Sequence, residues 1–286
     1  MLNKSIKSPV NIPVSKIHPF EGNPYKVLDN EEMNFLIESI QQQGIISPVV
    51  VRPIENTKDE YEVISGHRRM RASQKAGLET VPAFIYAVTR DEAAIMLVDS
   101  NLHRGHILPS EKAFAYKLKL EAIKRQGERT DLTSRQVVGK LESADLVSDT
   151  ESGRQVQRYI RLTYLIPELL DLVDEKRIAF TPAVELSYLN ELEQADLYEE
   201  ICICDATPNL SQAQRLRAIS REEGLTPEHI GEILAEEKAN QREKIKIPAE
   251  RIRRFFPKSY TTEQIEEAIV KLCESRYRAR QGRDSR

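Results

Sequence analysis

Apolar and polar residues follow two different periods in the first hundred positions, and the two periods alternate along the chain. Short β-branched or aromatic runs predict strands at 12–14, 48–52, 61–64 and 81–86, with Ile17 in a further extended segment. A polar run at 29–32 has the composition of a capped helix start, and apolar residues follow it at helical spacing up to Gly44. Residues 91–98 predict another helix. This pattern predicts an α/β domain, which we assign to residues 1–108.

After 109–111 the character of the chain changes to helical. Residues 111–125 carry a broad apolar side, and 133–141 and 152–162 predict two shorter helices joined by a polar loop. Two helices in this order fit a helix-turn-helix, in which the second helix enters the major groove of DNA. With the helical pattern that continues beyond them, they predict an all-α domain at 109–240.

The last segment, 241–286, begins with a linker and ends in an amphipathic helix. Ile265, Ala268, Ile269 and Leu272 recur at helical spacing, which suits a dimer interface or packing of the helix onto its own domain. Its many Lys and Arg residues could bind DNA phosphates without sequence preference, or they form a solvated cationic surface.

Composition limits the class of protein. The 286 residues are 40% hydrophobic, and no apolar run approaches the roughly 18–20 residues that a membrane-spanning helix needs. The first residues lack the apolar core of a signal peptide, and three cysteines without paired spacing favour reduced thiols. These features predict a cytoplasmic protein without a membrane partner.

The net charge is −3, but positive and negative residues are distributed unevenly along the chain. Residues 166–240 carry 6 Lys and Arg against 17 Asp and Glu, a balance of −11, whereas 241–286 carry 13 against 7, a balance of +6. Such polarity indicates separate surfaces with separate partners. The alternative for the acidic part is a set of solvated helix faces.

The segment 61–72 carries the clearest chemistry. An alternating strand ends at Gly66, and a helix start with three arginines follows directly. Glycine lets the backbone approach a ligand, the first helical turn offers free N–H groups to an anion, and arginine donors suit phosphate oxygens. The segment therefore predicts a phosphate-binding strand–turn–helix, although it lacks the spacing of a P-loop or of a GxGxxG motif.

A second polar cluster occupies 99–104. Its acid, amide and arginine could hold Mg²⁺ and a phosphate, because hard cations take oxygen ligands. The alternative is the end of a helix, with Arg104 close to the negative end of the helix dipole.

The polar side chains around the predicted helix-turn-helix are candidates for DNA contacts. Glutamine suits adenine edges, and arginine suits guanine or phosphate. The candidates are Arg135, Gln136, Ser152, Arg154, Gln155, Gln157, Arg158 and Arg161. A solvated helix face is the alternative for this segment.

Taken together, these segments resemble the ParB family of chromosome and plasmid partition proteins, in a branch similar to RepB and mobile-element proteins. Segment 66–72 resembles the family's Gly-Glu-Arg-Arg-x-Arg-Ala box, and 100–104 resembles its Glu-Asn-x-x-Arg box. Segment 109–113 is similar to the Pro-x-Glu-x-Ala stretch that follows, and Asn23 stands in the position of the family's Asn-Pro motif. The resemblance extends from about residue 12 to residue 189.

The resemblance implies an α/β nucleotide-binding domain, an all-α helix-turn-helix domain and a small helical module for dimerisation. CTP and Mg²⁺ would be the cofactors, and double-stranded DNA, a second copy of the chain and a ParA-type ATPase the partners. The function implied is a partition protein, gated by CTP, that forms a dimeric clamp on a centromere-like site in the nucleoid or on a plasmid. The residues carried over to the nucleotide site are Asn23, Gly66, His67, Arg68, Arg69, Arg71, Asn101, Arg104 and Glu111, with Asn101 at the metal.

Two positions depart from the family pattern. His67 replaces the Glu of the first box, and Ser100 replaces the Glu that the family uses for metal coordination and hydrolysis. Asp99 is a poor substitute, because a shift of one residue turns a helical side chain by about 100°. Nucleotide binding is therefore predicted, while CTP hydrolysis stays open and no catalytic residue is assigned. A transcriptional regulator of a mobile element and a ParB-like nuclease are the alternative functions.

Overall fold

The computed structural model describes residues 8–102, 105–131, 147–148, 151–236, 249–257 and 259–284. The chain divides into two compact units, Met1–Glu236 and Glu237–Arg286. Each unit is described by itself below.

The N-terminal part of the first unit is built on a mixed five-stranded sheet. Its strands are β1 (Val10–Pro13), β2 (Ile17–His18), β3 (Val49–Pro53), β4 (Tyr61–Ser65) and β5 (Thr80–Ile85), in the order β1-β5-β3-β4-β2. β3 is central, parallel to β5 and antiparallel to β4, while β1 runs antiparallel to β5 and β2 parallel to β4. Every strand segment predicted from the sequence is confirmed, with boundaries that differ by one or two residues.

Helices surround the sheet and form most of the rest of the first unit. They are α1 (Glu31–Gln43), α2 (His67–Lys75), α3 (Arg90–Leu102), α4 (Pro109–Asp131), α5 (Gly153–Arg161), α6 (Pro167–Asp174), α7 (Phe180–Leu186), α8 (Glu191–Cys204), α9 (Leu210–Glu222) and α10 (Pro227–Ala235). Short 3₁₀ turns lie at Val14–Lys16 and Leu162–Tyr164. The expected α/β region followed by a helical region is confirmed.

Local sequence explains where α1 begins and ends. The Asn30 side chain accepts a hydrogen bond from the Met33 N–H, 3.1 Å away, and so caps the first turn. Gly44 ends the helix at φ +70°, a conformation that favours glycine. Both signals were visible in the sequence pattern.

The two faces of the sheet belong to two different cores. In β4, Val63 packs with β-strand residues and Met70 of α2, whereas the adjacent Ile64 packs with Tyr25 and with Leu97 of α3. Adjacent strand residues point to opposite faces, so one strand connects both layers. The second core also receives residues of α4, as described below.

Helix α4 contributes to more than one core. Its Ala115 and Ala122 are fully buried in the cluster that contains Ile64 and Leu97. Its Ala113 is buried in the cluster formed by α6 to α10. One helix therefore completes the α/β layer and also anchors the helical layer.

A buried ion pair lies at the end of β3. Arg52 Nε is 2.7 Å from Glu62 Oε2, and the two residues are only 4% and 6% exposed. The other carboxylate oxygen of Glu62 accepts a hydrogen bond from the Glu21 N–H, at 3.0 Å. The pair thus connects β3, β4 and the loop that leads to Asn23.

The second unit contains α11 (Ala249–Arg253) and α12 (Thr262–Asp284). On α12, Val270 and Leu272 are 51% and 65% exposed. In the described part of the chain, no helix combines the length and the apolar character that crossing a bilayer requires. The linker 244–248 lies outside the described residues.

Candidate functional site

The turn between β4 and α2 has the geometry of an anion site. Gly66 has φ +100°, and a Cβ placed there would lie 3.0 Å from Val49 Cγ1, so the position requires glycine. No side chain of the described residues caps α2, which begins at His67. The N-terminal turn of a helix is a common place for anions to bind, and here it follows the glycine turn directly.

The three arginines of α2 reach three different places. Arg68 donates both terminal nitrogens to Glu32 Oε2 of α1, each at 3.0 Å, and its side chain is 40% exposed. Arg69 donates to the backbone carbonyls of Ser47 and Pro48, and so braces the turn before β3. Arg71 pairs with Asp29, which precedes α1, at 3.0 Å. Arg68 is thus the arginine in the first turn of α2 whose partner, Glu32, is exposed and can be replaced by a ligand.

The Asp29 carboxylate holds Arg71 across the whole ordinary pH range. Hydrogen bonds from Arg71 and then Lys75 lower the pKa of Asp29 from 3.8 to about 2. Because the pKa is lowered in the folded state, this contribution to stability is present above about pH 3.8 and is lost as the pH falls toward 2. Asp29 engages Nε and Nη2 of Arg71.

We expect the Asp29 carboxyl carbon to titrate in NMR with a midpoint near 2, and Arg71→Ala to move that midpoint back toward 3.8. Arg90→Ala is the matched control, since Arg90 pairs with Glu21 elsewhere on the surface. A midpoint unchanged by Arg71→Ala would show that Arg71 does not hold the carboxylate.

The Asn23 loop is held by its own side chain and by α4. Asn23 donates to the Tyr25 carbonyl and accepts from the Tyr25 N–H, each at 3.2 Å. Glu111 Oε1 accepts from the Lys26 N–H at 2.9 Å, while its Oε2 accepts from the Leu108 N–H at 3.2 Å. Glu111 therefore fixes this loop to the start of α4.

Asn101 lies in the last turn of α3 and is 5% exposed. Its Nδ2 donates to the Leu97 carbonyl at 2.7 Å and to Ser100 Oγ at 3.2 Å. No described residue engages its Oδ1, which leaves one amide oxygen of the kind that Mg²⁺ takes as a ligand. Arg104, the neighbouring candidate, lies outside the described residues.

The replacement of the family's Glu by Ser100 leaves no substitute carboxylate next to Asn101. Ser100 Oγ donates to the Leu97 carbonyl at 3.0 Å, and Asp99 is bound to Lys119 of α4 at 2.5 Å. Within the described ranges, no group of three or more His, Cys, Asp and Glu side chains could hold a metal ion. Of the oxygen atoms named here, Asn101 Oδ1 is the one that no described residue engages.

One buried cluster brings the predicted nucleotide residues to the same region. It contains Ile64, two residues before Gly66; Tyr25, two after Asn23; and Leu97, one turn before Asn101. The Tyr25 hydroxyl also approaches the Val98 carbonyl, at 3.5 Å. The glycine turn, the Asn23 loop and the end of α3 are therefore packed against one another through a common core.

Helix α5 divides the predicted DNA-binding residues into two groups. Ser152 caps it by accepting from the Gln155 N–H at 3.3 Å, and Gly153 and Val156 form its buried side. Arg154 and Gln157 are exposed. Ser152 is exposed as well, so these three polar side chains of the predicted set face solvent.

The arginines near the end of α5 instead contact α7 and the turn after it. Arg158 donates to Gln155 Oε1 and to Thr181, at 3.1 and 3.0 Å. Arg161 donates to the hydroxyl and the carbonyl of Ser187, at 3.1 and 2.7 Å. Arg135 and Gln136, with the first helix of the predicted pair, lie outside the described residues.

Lys112 makes contacts near α5 that the sequence did not predict. It pairs with Glu151, immediately before the cap of α5, and its Nζ lies 4.6 Å from the Tyr159 ring centroid. Burial disfavours the ammonium, but the Glu151 hydrogen bond and the nearby tyrosines raise the pKa of Lys112 above its usual 10.5. The partner is 39 residues away, so no local pattern could identify it.

Comparison with known proteins supports the reading of these segments. The model of the ParB N-terminal domain matches residues 2–102. The chromosome-partitioning protein ParB of Myxococcus xanthus is 36% identical over 123 residues, 43% of this chain and 40% of that protein. The nucleoid occlusion protein of Listeria innocua is 31% identical over 202 residues, 70% of this chain and 65% of that protein.

Among solved structures, the C-terminally truncated ParB of Caulobacter crescentus complexed with CTP-γ-S is 23% identical, with a TM-score of 0.33. The match covers 68% of this chain and 99% of the Caulobacter chain. This chain spans between 40% and 65% of the length of the two curated relatives above. The chain is similar in sequence to ParB partition proteins, and its residues 2–102 match the model of the ParB N-terminal domain.

Proposed function

We propose that this protein is a sequence-specific DNA-binding partition protein gated by CTP. One observation carries the proposal: the uncapped first turn of α2, preceded by Gly66 and bearing Arg68, lies within the region that matches the ParB N-terminal domain. The start of a helix and an exposed arginine are features that suit the oxygens of a triphosphate. The relative that binds CTP-γ-S is itself named as a ParB.

In this proposal each residue of the site has a defined task. The α2 turn and Arg68 bind phosphate oxygens, Arg69 keeps the turn before β3 in place, and Asn101 offers its Oδ1 to Mg²⁺. Asn23 shapes the loop at the base and ribose. When bound, CTP would supply the negative charge of its triphosphate to these donors.

DNA recognition is assigned to the exposed end of α5. Arg154 and Gln157 read base edges or phosphates, while Arg158 and Arg161 hold the helix against α7 and its following turn. Glu111 and Lys112 are neighbours in the first turn of α4; one contacts the Asn23 loop and the other contacts Glu151 beside α5. This adjacency supports coupling between the nucleotide site and the DNA-reading helix.

The assembly around this core is also proposed. Two copies form a dimeric clamp through the C-terminal unit, where α12 exposes Val270 and Leu272. A ParA-type ATPase then moves the complex, which is associated with the nucleoid or a plasmid. Because Ser100 and the paired Asp99 provide no free carboxylate next to Asn101, CTP acts mainly as a switch and is turned over slowly if at all.

Calorimetry with CTP, ATP, GTP and UTP tests the nucleotide assignment. Binding of CTP in preference to the other three is expected, and equal or absent binding would contradict it.

Chromatin immunoprecipitation with sequencing tests the assembly. A broad peak that spreads from one site is expected for a sliding clamp, whereas narrow scattered peaks would indicate a transcriptional regulator.

Gln157→Ala is expected to lower the preference for the selected DNA site by about tenfold, because a bidentate base contact contributes roughly 1–3 kcal/mol of discrimination. Binding to random duplex DNA should change little. A footprinting titration on selected and random duplexes measures both. Gln214→Ala on α9 is the matched control, since Gln214 is also an exposed helical glutamine. If Gln157→Ala instead loses salt-sensitive affinity and keeps its preference for the selected site, Gln157 contacts a phosphate and not a base.

A further inference from the structure

A row of alternating cations and tyrosines lies at the C-terminal end of α5. The Arg161 guanidinium carbon is 4.6 Å from the Tyr164 ring centroid and 4.0 Å from that of Tyr188. The row extends at both ends, since Lys117 Nζ is 5.6 Å from the Tyr164 centroid and the Arg217 guanidinium carbon is 3.6 Å from the Tyr188 centroid. These five residues, contributed by α4, α5, the 3₁₀ turn, the turn after α7 and α9, are called the cation–aromatic ladder.

The ladder keeps positive charge that its own contacts do not neutralise. Arg217 is paired with Glu185 at 2.7 Å. Lys117 and Arg161, in contrast, form no ion pair with any carboxylate of the described residues. Arg161 uses Nε and Nη2 for Ser187, which leaves Nη1 without a protein acceptor in the described part of the chain. The ladder thus presents two cations with unused donors.

The surroundings make this charge stand out. Residues 166–240 carry a balance of −11, and three of their arginines are paired with carboxylates: Arg177 with Asp205, Arg215 with Glu236 and Arg217 with Glu185. The ladder is therefore a positive row at the edge of an acidic region. Tyr164 and Tyr188 are 55% and 46% exposed, so the row lies at the surface.

Stacking on tyrosine holds the cations in place before any ligand arrives. A side chain that is already ordered loses less conformational entropy when it forms a new contact. Each ring carries two cations, Lys117 and Arg161 on Tyr164 and Arg161 and Arg217 on Tyr188. The rings are thus engaged by cations and do not offer the free faces on which single-stranded bases stack.

Fixed cations at the surface fit the phosphodiester backbone of a duplex. The ladder is connected directly to α5 through Arg161, the last residue of that helix. We propose that the cation–aromatic ladder is a phosphate-contact surface, which extends the DNA footprint beyond the bases read by α5. This inference rests on the proposed DNA binding.

The test uses the full-length protein, a duplex that it selects from a random pool, and a random duplex of the same length. Lys117→Gln is expected to weaken binding to both duplexes by about threefold to tenfold and to reduce the slope of log K against log salt by about one. Tyr188→Leu, which removes the ring between two arginines, should act in the same direction. The ratio between the two duplexes should not change.

Lys16→Gln is the matched control, because Lys16 is an exposed lysine near β2 that pairs with Asp59. Lys117 is half-buried and has no ion pair with a described carboxylate, so its variant remains informative if Tyr188→Leu fails to fold. Wild-type affinity and salt slope in Lys117→Gln would overturn the ladder's role while leaving DNA binding by α5 intact. A change in the ratio between the duplexes would also overturn it. Failure of the unmodified protein to bind any duplex would overturn both proposals.

Discussion

Arg68→Ala is expected to weaken CTP binding by about 10- to 100-fold, because a charge-assisted hydrogen bond contributes roughly 1.5–3 kcal/mol. Arg68 now donates to one oxygen of Glu32, whose side chain is 72% exposed. An exposed ion pair of this kind stabilises the fold by about 1 kcal/mol at most, so a triphosphate can replace Glu32 readily. Isothermal calorimetry with CTP measures the loss, and circular dichroism should show an unchanged fold.

Two further variants sharpen this result. Arg90→Ala removes an arginine that is also exposed and also paired with a glutamate, Glu21, and it should leave CTP affinity unchanged. Glu32→Gln removes the competing carboxylate and should maintain or raise the affinity. If Arg68→Ala binds CTP as tightly as the unmodified protein, the assignment of the α2 turn to the triphosphate is wrong.

Arg52→Met is expected to lower the free energy of unfolding by about 3–5 kcal/mol, because it leaves a buried carboxylate without its cation. Glu62 is 6% exposed and, among the described residues, would keep one partner, the Glu21 N–H. Urea denaturation followed by circular dichroism is the suitable measurement, since the chain has no tryptophan. The loop before Asn23 should loosen as well, because Glu62 binds it.

The double variant Arg52→Met with Glu62→Leu separates charge from packing. Replacing a whole buried ion pair by apolar residues is often neutral or stabilising. We therefore expect the double variant to recover most of the stability that Arg52→Met loses. If the free energy of unfolding of Arg52→Met lies within about 1 kcal/mol of that of the unmodified protein, then Glu62 reaches water despite its burial.

The elements of the N-terminal region could be predicted from the sequence because their signals are local. A β-branched run marks β3 and alternation marks β4, Asn30 and Gly44 mark the ends of α1, and Gly66 followed by arginines marks the anion turn. Strand order and pairing could not be predicted, since they depend on residues far apart in the chain. Val49, for example, pairs with Ala83.

The candidate site shows the same division. The residue types at the α2 turn follow from the motif, but their partners do not. Arg69 faces the carbonyl of Pro48, 21 residues earlier, and Arg71 faces Asp29, 42 residues earlier. The polar face of α5 was visible as a pattern, yet the contact of Arg161 with Ser187 depends on how α7 packs. Side-chain chemistry is thus readable locally, whereas the direction of each side chain is set by tertiary packing.

Helix α4 packs into the cores of both layers, and this has a consequence for how the chain can evolve. Ala115 and Ala122 complete the core of the α/β layer, while Ala113 and the Asp174 cap on Ser110 fasten the same helix to the helical layer. A recombination junction at the start of α4 would leave the α/β layer with an uncovered apolar face. A junction after α4 would in turn separate Ala113 from the helical layer, so exchange of either layer between relatives is expected to require matching residues on α4.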